Sequence, residues 1–590
     1  MSDKHEEMYE AINRKNWDKA RDLILSGVEE SRDYYDYDDW PLIFQLIEAG
    51  QEDLAILWLD NGYPPYITGV KNMTGILHWA AKYGMAKLVQ KMMGYDLDID
   101  EYTMDEHAPL WYASNAGHIE IVKQLLEAGI NPGGENLAEL PMPERVPMAD
   151  TPLCAAANAE IAKLLLANGA SLEIDSYGQG FVWTEWMRDF GMDDEILTPL
   201  TIATLRGRMD VARLFHERGI ALDSQPLRFL AVRQGDDKTA NAAQLVRMGA
   251  DPNGGVAREP LLVAARAGNA AFCRMLLENG ARPLRDCLSL AVLSENRDCV
   301  ELFLENGDPP SAIRTAAKRG VGSILARLLE FRPDLAGHAL LGAIEGCHLK
   351  LAREMLAKGA DPDFRDKNGK TPVMLLYSSN RLRDSYRYFR LNPSRYPADW
   401  GNRTPWRPTE RDFESDDYFF FYMKRPNNWT ELLNLIDDDV REFASELISK
   451  GADIYAKDRM DRSILWHACQ NSWLRSIPWL AGMGLDINAR DREGTSAFNA
   501  GCLHGERMNV EAMLSVNPEI DAQDAGADTA LIKCGREYVD CCVSSIYSSI
   551  ITLLDAGADP DIENDKGVSF RKIAEGDRSL KYALERRDGE

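Results

Sequence analysis

No run of about eighteen apolar residues occurs in this 590-residue chain, so no segment reads as a membrane-spanning helix. Cations are outnumbered, with 67 Lys and Arg against 94 Asp and Glu, for a net charge of −27. A chain so acidic is a poor coat for nucleic acid or for an anionic membrane surface, and it suits basic partners better. Histidine is scarce at nine residues, and none falls in an HExxH or a Cys/His cluster. The ten cysteines are scattered without a single CxxC, which excludes a disulfide framework and a structural zinc site. Cys154, Cys273 and Cys502 read instead as reduced core residues. GxSxG, Walker and helix-opening GxGxxG elements are missing, so neither a nucleophile elbow nor a phosphate loop is expected. The opening MSDKHEEMYE has no apolar h-region, which points away from a secretory signal and towards the cytoplasm.

What the chain does contain is a period. Leu-Leu-x-x-Gly endings recur at Leu125–Gly129, Leu165–Gly169, Leu276–Gly280 and Leu553–Gly557, followed in places by Asp-Pro, as at Asp251-Pro252 and Asp361-Pro362. A glycine there takes the left-handed turn that closes a helix, and the proline prevents its continuation. Before each ending stands a turn and then a short Ala-rich segment, opened in places by Thr-Pro-Leu. Leu77-His78-Trp79-Ala80-Ala81, Thr151-Pro152-Leu153 and Thr198-Pro199-Leu200 are examples. Threonine caps the helix and proline fits its first turn. Helix starts at Ile76 and Pro109, Leu227 and Pro260, and Ile464, Ala497 and Ala530 lie 33 residues apart.

This unit resembles the ankyrin repeat, a turn and two antiparallel helices with a Thr-Pro-Leu-His-x-Ala signature. Only His78 stands in register with the signature histidine, where it is expected to bond the turn. The resemblance implies an all-α solenoid of about fifteen stacked helix-turn-helix units. Terminal units run from Glu7 to Gly27 and from Ser569 to Arg587, and units near Cys287, Ala312 and His338 have lost the projecting turn. The expected organisation is an N-terminal array at 1–390, an insertion at 391–429 and a C-terminal array at 430–590, with a soft break near the insertion.

Departures from the period are the candidates for function, because repeat proteins vary their loops. Excess residues fall in 131–150, 174–196 and 391–429. The third rests on reading Glu431–Ile436 as a first helix and Val440–Lys450 as its partner. All three are then expected at the edge where hairpins project between repeats. Asp437-Asp438-Asp439 reads as capping a helix N-terminus. Residues 391–429 hold ten aromatics in 39, and eight arginines between Arg381 and Arg411 face three acids, a local +5 in a chain whose remainder is −32. Trp, Tyr and Arg dominate binding hot spots. The candidate partner-binding residues are therefore Trp183, Trp186, Trp400, Arg403, Trp406, Arg407, Tyr418, Phe420 and Tyr422. The same aromatics would also suffice as a small core for a long loop.

The expected function is non-enzymatic protein binding, as a scaffold or regulatory adaptor using the concave face and the hairpin edge. No cofactor, metal, nucleic acid or membrane is implied, and the chain alone is expected to be monomeric. Two alternatives remain. One is a dedicated inhibitor, such as an immunity protein that neutralises a basic toxin or effector enzyme. The other is an enzyme hidden in the insertion, which has neither His nor Cys to supply a nucleophile or base.

Overall fold

A computed structural model describes residues 3–28, 41–65, 75–97, 107–132, 151–172, 197–233, 235–254, 259–378, 429–504, 507–541 and 543–589. They form two compact units, Met1–Leu284 and Arg285–Glu590. Each unit holds eight consecutive helix pairs, sixteen among the described residues where the sequence suggested about fifteen. No named strand occurs among the described residues, and none of their helices is long and apolar enough to cross a membrane.

One pair shows why these residues fold as they do. Ile76–Tyr83 begins at Gly75, whose N–H donates to His78 Nδ1 at 3.3 Å, so the signature histidine bonds the turn as expected. Ala80 and Ala81 are fully buried and let the neighbouring first helices approach. Gly84 closes the helix at φ 79°, and the chain turns directly into the second helix, Ala86–Met92. Elsewhere Thr151, Thr198 and Ser463 accept the backbone N–H three residues on, at 3.1–3.2 Å, the N-caps that the sequence implied.

Within each unit, first helices pack on first helices and second helices on second helices, giving two layers with the core between. The position after the closing turn stitches the layers together. His118 Nε2 bonds the Lys82 carbonyl at 3.1 Å and Asn269 Nδ2 the Ala231 and Arg233 carbonyls; Asn509 Nδ2, from within the second helix Arg507–Leu514, bonds the Cys469 carbonyl at 3.0 Å. Each satisfies carbonyls that the preceding repeat's first helix leaves orphaned at its end. The short units lack the projecting turn, as expected: Arg297–Phe303 leads to Pro309–Arg319 through five residues. Eight of the nine described free cysteines are buried, Cys154, Cys273 and Cys502 among them, and Cys541 is exposed.

The region around the large insertion departs from expectation. Residues 429–449 form one helix, not two, with Ile436, Val440, Phe443 and Leu447 buried. It is the second helix of the repeat whose first helix is Pro372–Ser378. In chain order residues 391–428 therefore fall inside one repeat, between its two helices, and not between one repeat's second helix and the next repeat's first as expected. Residues 131–150 and 174–196 do fall between a second helix and the next first helix. Asp437 and Asp438 lie mid-helix; Asp437 caps a different helix, and Asp438 pairs with the Arg441 and Arg475 side chains. Asp437 accepts from Arg475 N at 2.8 Å and from the Ser476 hydroxyl, at the start of Ser476–Gly482.

The stack closes across this insertion. Arg459 N donates to the Asn368 carbonyl at 3.0 Å, Arg365 Nη1 to the Lys457 carbonyl at 2.8 Å and Asp453 N to Asp363 Oδ1 at 2.8 Å. Trp473 Nε1 donates to the Tyr377 carbonyl at 3.2 Å. Neighbouring hairpins repeat one design. Asp366, Asp458, Asp491, Asp524 and Asn564 each accept two backbone N–H groups from the turn that follows.

Candidate interaction surface

In Ile76–Tyr83 the residue after the signature histidine, Trp79, and the two before the closing glycine, Lys82 and Tyr83, stay partly or fully exposed. In unit 1 these positions carry a run of rings and cations. Trp79 and Tyr83 stack at 5.3 Å between centroids, and Trp79 also lies 5.5 Å from Phe44 of the preceding repeat. Lys82 Nζ sits 5.1 Å from the Trp79 ring and 5.5 Å from the Tyr83 ring. Tyr112 continues the row in the next repeat, edge-on to Trp111 at 5.1 Å. Trp79, Tyr83, Trp111 and Tyr112 are all partly exposed. Burial and the nearby Glu48 carboxylate raise the Tyr83 phenol above its ordinary range, so the hydroxyl stays a donor at neutral pH.

One repeat interrupts the row. Pro152–Ala155 is a single turn, against seven or eight residues in its neighbours, because Ala156 turns away at ψ 122°. Arginines from the next repeat bridge the shortfall. Arg206 Nη1 donates to the Cys154 carbonyl at 2.8 Å, and its guanidinium lies 5.7 Å from the Trp111 ring. Arg208 donates to the Ala155 carbonyl and, at 2.6 Å, to Asn115 Oδ1, two repeats back. His107 stacks on the Trp111 ring at 3.8 Å. Trp111 Nε1 is buried, with no hydrogen-bond partner among the described residues.

Unit 2 holds a polar centre of another kind. Asp458, its side chain wholly buried, accepts from Met460 N, Arg462 N, Arg462 Nε at 2.9 Å and His467 Nε2 at 3.2 Å. Burial alone would raise its pKa, but the His467 and backbone hydrogen bonds outweigh it and hold the carboxyl well below the usual range. Burial also lowers the His467 pKa, more than the Asp458 bond raises it. His467 lies in a first helix one place past the signature position, where Trp466 stands. The pair is structural: it ties a hairpin to the helix that follows.

Trp183, Trp186, Trp400, Arg403, Trp406, Arg407, Tyr418, Phe420 and Tyr422 all lie outside the described residues. The row from Trp79 to Arg206 was missed in the sequence. Reading the signature position plus one down successive repeats gives Trp79 and Tyr112 directly, a column that a search for excess loop residues passes over.

A family model described as ankyrin repeats matches residues 77–176 in three copies. Among curated proteins, the ankyrin repeat and KH domain-containing protein mask-1 of Caenorhabditis elegans is 23 % identical over 393 residues, which cover 62 % of this chain and 13 % of that protein. The chain thus matches only a small part of that relative's length. Among solved structures, the human ASB11 ankyrin repeat domain is 20 % identical with a TM-score of 0.29, covering 39 % of this chain and 97 % of that domain. Stacked repeats of this kind present extended surfaces to other proteins. The capped helix pairs that run from Asp3 to Asp588, and the direct match across three of them, make this chain an ankyrin-repeat protein.

Proposed function

We propose that the chain is a binding protein without catalysis of its own, acting as a scaffold or regulatory adaptor, and that its partner docks on the first-helix face of unit 1. The observation that carries this reading is the Trp79, Lys82 and Tyr83 cluster, continued by Tyr112 on the next repeat. These rings are fixed on short helices and already stacked, so docking orders few side chains and keeps most of the contact energy. Aromatic and arginine anchors of this type dominate interface energetics. The aromatic segment 391–429 and the pair Trp183 and Trp186 are proposed as further contacts, in a cytoplasmic protein that is monomeric until its partner binds. The net charge of −27 favours a second reading, a dedicated inhibitor of a basic toxin or effector enzyme.

The test is capture from native lysate by the full chain and by a Trp79→Ala, Tyr83→Ala double variant. The proposal expects one protein to be retained by the parent and lost by the variant, with the melting curve unchanged. Equal retention by both would remove the first-helix face from the account. A retained protein that is a basic enzyme, silenced on binding, would select the inhibitor reading.

A further inference from the structure

The charges on this same face run against the rest of the unit. Residues 1–284 contain 44 acids and 26 bases, a net of −18. The two residues before the closing position of each first helix carry Arg14, Lys82, Arg206, Arg233 and Arg266, with Glu48 as the single acid. Five minus one gives +4 in this column. A helix C-terminus favours cations through its dipole, which explains part of the bias. The same dipole acts in unit 2, where, apart from the longer helix Ala530–Cys541, the column holds Lys318 and Arg319 against Glu345 and Glu575, a net of zero. The excess in unit 1 therefore needs another cause. Two of its cations also stand over partly exposed rings, Lys82 over Trp79 and Tyr83, and Arg206 over Trp111. Such a site offers a carboxylate its counter-charge and offers an adjoining apolar side chain a flat ring.

We infer that the first-helix face of unit 1 takes an acidic, extended segment of the partner protein. Its carboxylates pair with Lys82, Arg206, Arg233 and Arg266, and its apolar side chains lie on Trp79, Tyr83 and Tyr112. This rests on the proposal that the face is the docking surface, and it adds the chemistry of what docks. The overall negative field does not oppose it, because screening confines charge effects to about 8 Å in physiological salt and leaves contact pairs to decide. From the repeat of Lys82 to that of Arg266 there are five helix-to-helix steps. At about 10 Å each they make about 50 Å, which an extended peptide of about 15 residues spans at about 3.3 Å per residue. Single-stranded nucleic acid also combines negative charge with stacking surfaces, but the −18 of the unit disfavours a long polyanion, and repeats of this kind bind proteins.

The experiment uses the full chain and four fluorescein-labelled probes of matched length, read by fluorescence polarisation. Three are peptides with phenylalanine at alternate positions and glutamate, lysine or serine between; the fourth is a single-stranded oligonucleotide. The expected result is that the glutamate peptide binds best, weakens about tenfold between about 50 and 500 mM salt, and weakens at least tenfold on Lys82→Glu combined with Arg266→Glu. Trp79→Ala should weaken the same probe while leaving its salt dependence in place. Preference for the lysine or serine peptide, or for the oligonucleotide, would overturn the inference. So would glutamate-peptide binding that the charge reversals leave intact. If no probe binds, the acidic-segment inference fails, while lysate capture with the Trp79→Ala, Tyr83→Ala variant still decides separately whether the face docks a protein.

Discussion

Replacing Asp458 with asparagine removes one charge and changes the shape of the side chain hardly at all. The new side chain can still accept from Met460 N and Arg462 N through Oδ1, and its amide can donate to His467 Nε2 once the ring proton sits on Nδ1. What it cannot do is accept from Arg462 Nε, 2.9 Å from Asp458 Oδ2, or offer the backbone donors a full negative charge. Hydrogen bonds to a charged group are worth about 1.5–3 kcal/mol each, and breaking a buried ion pair by removing one partner costs about 3–5 kcal/mol. Arg462 is a quarter exposed and can turn to water, which lowers the expected loss to about 3 kcal/mol. The control is Asp491→Asn. Asp491 holds the same turn position and accepts Glu493 N and Thr495 N, but it lies nearer the surface. Its expected loss is under about 1 kcal/mol. Urea unfolding followed by the fluorescence of Trp466 and Trp473, both buried in the affected repeat, measures the two variants side by side. Equal losses, or a loss at Asp458 under about 1 kcal/mol, would refute the claim that the carboxylate charge holds this hairpin to its helix.

The same centre predicts acid lability in two steps. His467 has a depressed folded pKa, so its share of stability is present above about pH 6.5 and is lost as pH falls towards the folded value; Asp458 contributes likewise above about pH 4 and loses its share only well below that. A pH series of urea midpoints should show the upper step vanish in His467→Gln, and its persistence would contradict the assignment. Ala527 holds φ 55° at the hairpin position where Gly369, Gly494 and Gly567 also have positive φ, so Ala527→Gly should stabilise unit 2 by about 0.5–1 kcal/mol, with a lower midpoint counting against the strain argument. Gly342 faces the Arg314 backbone with no room for a Cβ, so Gly342→Ala should cost more than about 2 kcal/mol in the same assay. Deleting residues 391–428 shortens the link between Ser378 and Trp429 without touching the bonds that close the stack across it. The melting curve should be unchanged or raised by the equivalent of about 1 kcal/mol of loop entropy, and unfolding on deletion would show that the segment is part of the core.

Most of the architecture is legible in the sequence because its signals are local. Thr151 and Thr198 cap, Pro109 and Pro260 start helices, and Gly84 and Gly129 close them, each within one turn. The errors came where a local signal was imitated. Glu431 stands 33 residues before Ile464, and the apolar runs on either side of Asp437–Asp439 looked like two helices. No glycine separates them, and the buried Asp437 is tolerated mid-helix because it caps the neighbouring Ser476–Gly482. The one-turn helix at Pro152 had a readable mark, since Ala155-Ala156-Ala157 is not followed by a closing glycine. The Asp458–His467 bond left no mark at the expected spacing, because His467 is one place out of register.

The most direct test of the account is hydroxyl-radical footprinting of the purified chain, free and with its captured partner. The account predicts that oxidation of Trp79, Tyr83 and Tyr112 falls on binding, while the exposed Tyr582 in the last helix of unit 2 is unaffected. Protection confined to unit 2, with those three rings as reactive as in the free chain, would contradict it.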